Sequence, residues 1–399
     1  MRPVTKFKSA LKPIKARLMS ELATPYARKA LASLERQSQP TPFAVVFSDG
    51  PTGLYQLEQW LSPLETLSRR IGPVALIVSN AQTALKLRAL TNLLIHLESS
   101  ASKVGTFVEQ QAVQVIFYVN NNQANFTTLR INGPAHVHLS HGESEKSSMT
   151  SNQLKAYDFA FIAGQASQDR IISTLRRFDA AKLIQVGRPQ LDLAVPAPSS
   201  PSSTSKAIPL LYAPTWEGDS PSMAYSSLTN QGRELCEVVL ADHRFQLIYR
   251  PHPKLGSHSS AHRDADRHIR ALIRKAASNN QIHGPQIELQ GDPIGSIAAA
   301  SVVVTDISAM SMDSIGLNKP TVILLPKPAS GASTAGLAML DNVTTWQVLP
   351  ERALDELAEL ATTPLSERQR EFREYVFGAD ALGPATDRFV AAAAGLLEG

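Results

Sequence analysis

The sequence contains one cysteine, Cys236, so it cannot form an intramolecular disulfide or a cysteine-rich metal site. This scarcity excludes a disulfide-stapled secreted fold and favours a reducing compartment. No run of about 20 apolar residues occurs, so no helix is expected to span a bilayer. The longest apolar runs, near 297–304 and 389–397, are too short. The first residues lack the apolar core and cleavage site of a secretory signal, and we expect none.

Neither sign of charge is in large excess. The chain has 39 Lys and Arg against 35 Asp and Glu, which gives a formal net charge of +4. Hydrophobic residues make up 43 %, enough to fill a core and to exclude wholesale disorder. At roughly 100–200 residues per domain, 399 residues predict two or three domains.

Positive charge is concentrated in residues 1–40. The bases there are Arg2, Lys6, Lys8, Lys12, Lys15, Arg17, Arg28, Lys29 and Arg36, against Glu21 and Glu35. Apolar residues recur between them at helical spacing, at Phe7, Leu11, Ile14, Leu18 and Leu22. Such a helix can lie in an anionic membrane interface, or it can pack on the body of the protein. Nucleic acid is not expected as a partner, because no aromatic side chains are interleaved with the bases as a stacking platform.

Short apolar runs alternate with helical patterns along the rest of the chain. Strands are predicted at 43–50, 73–80, 113–119, 136–139, 158–163 and 183–186, and then at 209–213, 245–249, 286–289, 301–305 and 321–325. Helices are predicted at 83–99, 231–242, 262–278, 294–300 and 309–317, with three more between 351 and 397. This alternation favours parallel sheets built from βα units.

The predicted fold class is α/β, with two Rossmann-like domains facing across a cleft. Residues 195–207 are rich in Pro and Ser, which is typical of a linker. The predicted division is a basic amphipathic segment (1–40), a first domain (41–194), the linker (195–207), a second domain (208–350) and C-terminal helices (351–399). Ligands of such sheets bind beyond the carboxyl ends of the strands, so polar motifs at strand ends are candidate site residues.

The first such motif is HLSHGESEK, residues 138–146. His141 follows a predicted strand and could remove a proton from a substrate hydroxyl near neutral pH. Alternatively, it is a surface-loop histidine bonded to backbone. His136 and His138 lie within the strand and are expected to be structural, because the three histidines do not have zinc-site spacing.

Two further motifs follow strands of the second half. In YAPTWEG (212–218), Thr215 offers a hydroxyl and a backbone N–H, and Trp216 offers a stacking plane. In YRPHP (249–253), two prolines rigidify a segment that carries Arg250 and His252. A fixed cation and imidazole form a candidate phosphate clamp. The alternative is a rigid connection with an ordinary salt bridge.

The fourth motif is TDISAMSMDSIGLNKP, residues 305–320. Asp306 ends a buried strand, and Ser308 stands where a helix N-cap is expected. A helix N-terminus directly after a parallel strand is a candidate anion site. Asp313 suits a ribose or glycerol hydroxyl better than a phosphate. The alternative is simple N-capping by Ser308, with Asp313 complementing the helix dipole.

In this order, YAPTW, RPHP and TDxS…D…NKP resemble the C-terminal half of the CDP-glycerol glycerophosphotransferase family, the teichoic-acid primases and polymerases. His141-Gly142 with a later Lys146, YDFAFIAG (157–164) and VGRPQLD (186–192) resemble its N-terminal half. The resemblance covers about 136–326. It implies a GT-B fold, with the donor nucleotide in the second domain and the acceptor entering from the first.

The resemblance further implies transfer of glycerol phosphate, or a related polyol phosphate, from a CDP-activated donor to a hydroxyl, with release of CMP. The acceptor would be a lipid-linked or polymeric wall or capsule glycopolymer, and the protein would sit peripherally on an anionic membrane at its cytoplasmic face. His141 would be the general base and His252 would stabilise the pyrophosphate. The donor-site residues would be Thr215, Arg250, Asp306, Ser308 and Asp313. No metal and no cofactor is expected.

Five positions depart from the family pattern. Ser140 precedes His-Gly, Glu143 and Ser144 follow it, Glu217 follows PTW, and Ala309 replaces a second serine. Glu143 and Glu145 are expected to add negative charge beside a polyanionic substrate. Two alternatives therefore stay open. One is a GT-B glycosyltransferase that uses a nucleotide-sugar, and the other is a non-catalytic GT-B-like protein at the membrane.

Overall fold

The structure is a computed structural model that describes residues 23–31, 40–144, 150–194, 207–279, 284–327, 331–380 and 383–397. Most of the predicted basic segment, nearly all of the predicted linker, and Lys146 lie outside the described residues. The described chain folds around two parallel sheets, one of seven strands and one of six. The predicted α/β class is therefore confirmed.

The seven-stranded sheet belongs to the first half of the chain. Its strands are β1 (Phe43–Phe47), β2 (Val74–Val78), β3 (Leu94–Leu97), β4 (Val115–Tyr118), β5 (Ala135–His138), β6 (Phe159–Ile162) and β7 (Leu183–Gln185). Its helices are α1 (23–31), α2 (Tyr55–Glu58), α3 (Leu61–Arg70), α4 (Ala81–Arg88), α5 (Ala101–Gln110), α6 (Asn125–Thr128) and α7 (Gln165–Thr174). The strand order is β3-β2-β1-β4-β5-β6-β7. The order reverses between β1 and β4, and a ligand crevice is expected at that point.

The six-stranded sheet repeats this plan. Its strands are β8 (Ile208–Ala213), β9 (Phe245–Tyr249), β10 (Gln286–Ile287), β11 (Val302–Thr305), β12 (Thr321–Leu324) and β13 (Thr344–Trp346). Its helices are α8 (Arg233–Ala241), α9 (Ser260–Asn279), α10 (Pro293–Ala299), α11 (Ala309–Gly316) and α12 (Ala338–Asn342). The order is β10-β9-β8-β11-β12-β13, with the reversal between β8 and β11. Strands such as β11 (VVVT) are buried throughout, because helices cover both faces of a parallel sheet.

The predicted helix over 83–99 is wrong in its second half. Helix α4 ends at Arg88, and Leu94–Leu97 form β3, the edge strand that pairs with β2. A short apolar run such as LLIHL fits a helix or a strand, so its own pattern cannot decide between them. The otherwise unpaired edge of β2 determines that this run is a strand, because β2 offers its backbone a ladder of hydrogen-bond partners.

The C-terminal helices divide between the two domains. Helix α13 (Ala353–Thr362) buries Ala353 and Leu357 in the second-domain core. Helix α14 (Glu367–Phe377) leads back, and α15 (Ala385–Gly395) buries Phe389 in the first-domain core. The ring of Phe389 lies 5.3 Å from that of Trp60 and 5.9 Å from that of Phe117, between centroids. The chain therefore crosses between the domains twice.

One part of the predicted basic segment is described. Helix α1 buries Ala27 and Leu31 completely in the first-domain core, while Tyr26 is exposed. Arg28 lies 3.7 Å from the carboxylate of Glu98. This helix therefore packs on the body of the protein, as one of the two alternatives predicted. Among the helices that the structure describes, none has the length and apolarity needed to cross a membrane.

We predict that Phe389→Ala lowers the free energy of unfolding of the first domain by about 3–5 kcal/mol, because the ring is fully buried among aromatic side chains. Urea unfolding, with hydrogen exchange of the β1 and β4 amides as the domain-specific readout, measures the loss. The control is Phe126→Ala, since Phe126 is 40 % exposed. Equal stability of the two variants would show that α15 does not support the first domain.

Candidate active site

The carboxyl ends of the two sheets bring the two candidate histidines to one place. His141 follows β5 of the first domain, and His252 follows β9 of the second. Tyr55, at the start of α2, contacts both of them. Its ring meets that of His141 edge-on at 6.2 Å and that of His252 edge-on at 5.8 Å, between centroids. One aromatic ring therefore joins the histidine of the first domain to that of the second.

The imidazole of His141 is set up as a neutral base. Its Nδ1 lies 3.3 Å from the backbone oxygen of Val119. A carbonyl can only accept, so Nδ1 carries the proton and Nε2 keeps its lone pair. Burial, helped by the charges of Arg188 and Lys254, lowers the pKa of His141 to about 4, against the opposing bond to Val119. Neutral His141 is therefore the resting form near pH 7.

The imidazole of His252 has the opposite tautomer. Its Nδ1 accepts the backbone N–H of Lys254 at 3.1 Å, so in the neutral ring the proton sits on Nε2. The ring stacks on Trp216 at 6.0 Å with an interplanar angle of 17°. Its orientation is fixed from both sides, by the backbone and by the indole. His252 therefore has a hydrogen-bond donor at Nε2, where His141 has an acceptor.

Asp306 and Thr215 lie on either side of the strand-order reversal of the second sheet. Asp306 has no exposed surface, and its carboxylate accepts the backbone N–H of Thr215 at 2.7 Å and that of Ser227 at 3.2 Å. Asp306 thus positions the loop that carries Thr215 and Trp216. Direct contact of Asp306 or Thr215 with the donor stays a prediction.

Arg250 makes the ordinary salt bridge that was the alternative to a phosphate clamp. Its Nη1 donates to the Glu288 carboxylate at 3.1 Å, to the Gln290 carbonyl at 3.3 Å and to the Ser296 hydroxyl at 3.0 Å. Its Nη2 donates to the Gly291 carbonyl at 2.5 Å. The guanidinium therefore fixes the connection between β10 and α10. Binding of donor phosphate by Arg250 stays a prediction.

The predicted helix start at Ser308 is confirmed. Ser308 is the N-cap residue of α11, in an extended conformation. The first residue of the helix, Ala309, lies against Gly142 of the first domain. A Cβ atom added to Gly142 would lie only 3.0 Å from the Cβ atom of Ala309. The His-Gly loop is therefore packed against the start of α11. Ala309, where the family has a second serine, faces this close contact.

Asp313 is bound across the domain boundary by Arg188. The Arg188 Nε and Nη2 atoms donate to the two carboxylate oxygens at 2.7 and 3.0 Å. Both side chains are at most 5 % exposed. Arg188 also donates to Gln59 at 2.9 Å and to Gln190 at 3.1 Å. Contact of Asp313 with a donor hydroxyl stays a prediction, while its interdomain ion pair is observed.

The expectation that Glu143 adds negative charge beside the substrate is wrong. Its carboxylate is buried and accepts from the Ser167 hydroxyl at 2.7 Å and from the Arg170 guanidinium. Arg170 therefore compensates the charge inside the first domain. Glu145 lies outside the described residues.

Glu217 is also a structural departure from the family. It accepts three backbone N–H groups, from Gly256 at 2.8 Å, His258 at 2.6 Å and Ser259 at 2.9 Å. Although burial opposes it, this bonding holds the pKa of Glu217 below its ordinary value. Glu217 thus fixes the loop between His252 and α9.

Three residues of the cleft escaped the sequence interpretation. Tyr55 lies in LYQLE, which carries no motif. Arg188 lies in VGRPQLD, a segment that the resemblance includes without giving this residue a role. Lys254 directly follows RPHP, and its ammonium lies 5.1 Å from the centre of the Trp216 ring. A charge next to a motif was the available signal for Arg188 and Lys254.

Comparison with known proteins agrees with this geometry. Residues 117–330, more than half of the chain, match the model of the CDP-Glycerol:Poly(glycerophosphate) glycerophosphotransferase family. No curated protein sequence matches significantly.

Solved structures with a similar fold include the wall teichoic acid polymerase TagF, with a TM-score of 0.52 at 13 % identity over 100 % of both chains. A TagF variant soaked with CDPG gives 0.55 at 13 % identity over 100 % of this chain and 99 % of that one. The UDP-GlcNAc 2-epimerase of Neisseria meningitidis, bound to UDP-GlcNAc, gives 0.56 at 11 % identity over 90 % of this chain and 100 % of that one.

These likenesses confirm the GT-B arrangement of two parallel-sheet domains. The match to the family model covers the His-Gly loop, both strand-end motifs of the second domain and the start of α11. It therefore includes every element that supplies a candidate catalytic residue. This chain belongs to the CDP-glycerol:poly(glycerophosphate) glycerophosphotransferase family and is a transferase.

Proposed function

We propose that this transferase moves glycerol phosphate, or a related polyol phosphate, from a CDP-activated donor to a hydroxyl of a cell-envelope glycopolymer and releases CMP. The acceptor is a lipid-linked or polymeric chain of the wall or capsule. The observation that carries the proposal is the pair of oppositely polarised histidines, His141 and His252, which both contact the ring of Tyr55. Family membership supports the CDP-glycerol donor.

The histidine pair fits the proton and charge movements of this reaction. Nε2 of His141 takes the acceptor O–H proton while the acceptor oxygen forms a bond to the β-phosphorus. The bond from the β-phosphorus to the bridging oxygen breaks, and CMP leaves with that electron pair. Nε2–H of His252 donates a hydrogen bond to the pyrophosphate, whose leaving oxygen gains charge. Most of the catalysis is positioning and fixed charge.

The start of α11 supplies a second stabilising group. Its first backbone N–H groups and its dipole favour an anion at Ser308, next to the His-Gly loop. The proposed donor therefore lies with its phosphates between α11 and the two histidines. A nucleotide-sugar donor and a non-catalytic role remain as outcomes of the tests below.

The proposal includes attachment to the cytoplasmic face of the membrane, supported by the basic and apolar spacing of the sequence over 1–22. We expect the full chain to sediment with vesicles that contain anionic lipid, and less so at high salt. A chain that starts at Ala23 is expected to stay in the supernatant. Equal sedimentation of both chains, or sedimentation with neutral vesicles alone, would contradict this attachment.

We predict that His141→Ala lowers the rate of CMP release from CDP-glycerol by about 10²–10⁴-fold, since it removes the general base. The assay uses a membrane extract as acceptor. The control is His243→Ala, an exposed histidine outside the cleft, which should keep wild-type activity. Undiminished release by the His141 variant would remove the proposed base. Nucleotide release from nucleotide-sugars but not from CDP-polyols would favour the glycosyltransferase. No nucleotide release from any donor would favour the non-catalytic role.

The lowered pKa of His141 predicts where activity fails in acid. A histidine with the ordinary pKa of about 6.5 is half protonated at that pH. A pKa of about 4 keeps Nε2 unprotonated at lower pH, so kcat/KM should fall only near pH 4. The unfolded chain binds more protons than the folded one between these values, so stability should also fall as pH drops through this range. An NMR titration of His141 with a midpoint near 6.5 would contradict the prediction.

A further inference from the structure

A CDP-activated donor brings a doubly charged pyrophosphate into the cleft, and cations there must balance it. Two arginines beside the candidate site are already engaged. Arg250 makes four hydrogen bonds within its own domain. Arg188 is held by both oxygens of Asp313 and is 5 % exposed. Their positive charges are thus already balanced by the carboxylates of Glu288 and Asp313.

Lys254 differs from both arginines. Its side chain is half-buried, and among the described residues its ammonium makes no hydrogen bond or ion pair. The ammonium lies over the Trp216 ring, 5.1 Å from the centroid. Such a contact is weak where the lysine is partly exposed and can be exchanged for a stronger ionic partner. Lys254 is thus a cation held in place without a counter-ion.

The position of Lys254 places its charge at the reacting centre. Its backbone N–H orients the ring of His252, and its side chain shares the Trp216 indole with that ring. Its charge also reaches His141 in the other domain, where it helps to lower the pKa of that imidazole. One lysine therefore lies beside His252, and its charge acts on His141 across the cleft.

We propose that Lys254 is a further catalytic residue, whose ammonium leaves the Trp216 ring to bind the β-phosphoryl oxygens of the donor. This inference rests on the proposed function, because it requires a diphosphate-linked donor. A lysine suits the task, since its charge is compact and its four-carbon stem can follow the phosphoryl group. A charge-assisted hydrogen bond to phosphate is among the stronger polar contacts.

Calorimetric binding of CDP and CMP to the full chain separates the β-phosphate from the rest of the nucleotide. We expect Lys254→Gln to weaken CDP binding at least tenfold and CMP binding less than twofold. Lys254→Arg, which keeps the charge, should recover most of the CDP affinity. The control is Lys103→Gln, a lysine of α5 whose side chain is 68 % exposed, and its affinities should not change.

A second measurement does not depend on any donor. In the nucleotide-free protein, Lys254→Gln should raise the pKa of His141 in an NMR titration, because one of the charges that lowers it is gone. Lys103→Gln should leave that titration unchanged. A His141 titration that does not move in Lys254→Gln would overturn the placement of the ammonium beside this imidazole.

The outcomes distinguish this proposal from the function on which it rests. If wild type binds CDP and Lys254→Gln binds it equally well, the role of Lys254 is overturned and the proposed transfer stands. If wild type binds neither CDP nor CDP-glycerol, both are overturned. Selective loss of CDP affinity together with a raised His141 pKa supports Lys254 as the phosphate-binding cation.

Discussion

The whole site depends on one buried ion pair, between Arg188 of the first domain and Asp313 of the second. The bidentate geometry fixes orientation as well as distance, which a purely apolar contact would not do. Gln59 and Gln190 satisfy further donors of the guanidinium, so the charge is buried with its hydrogen bonds made. With this pair in place, Gly142 lies against Ala309, and His141 and His252 both contact the Tyr55 ring.

The ion pair also influences the chemistry. Arg188 is held close to His141, and its positive charge helps burial to keep that imidazole neutral. The same residue therefore holds the domains together and keeps the candidate base unprotonated. The close approach of the His-Gly loop to α11 has a related consequence. A side chain at 142 would crowd Ala309 and require this contact to open by a few tenths of an ångström.

The sequence predicts the two parallel sheets well, because buried strands such as β1 and β11 are continuous apolar runs with turn residues at their ends. It also predicts that His141 and His252 line one cleft, since each follows the carboxyl end of a parallel strand and the two domains are expected to face each other there. It misplaces β3, whose apolar run fits either period and becomes a strand only beside the edge of β2. The position of β2 beside this run is set by the tertiary fold and cannot be read from the run itself.

The sequence also does not show which side chains pair with one another in the folded protein. Arg250 and Lys254 are both cations beside His252, and nothing in RPHPK tells which is already paired. The answer depends on Glu288, which is distant in sequence and reaches Arg250 through the pairing of β9 with β10. Asp313 likewise meets Arg188 only because α15 and the interdomain contacts bring the two halves together. Partner identity follows from topology, and a motif contains no information about it.

The arrangement links the strength of the base to the presence of the donor. Without donor, the positive charges of Arg188 and Lys254 help burial to keep the pKa of His141 low. A bound pyrophosphate, with the Lys254 ammonium on it as proposed, places negative charge in the same field and offsets part of that effect. The pKa of His141 then rises, and the imidazole becomes a better proton acceptor when there is a phosphoryl group to transfer. Lys254 lowers the pKa of His141 in the empty cleft. Because a bound donor would offset this effect, the same positive charge makes activation of the base depend on the donor.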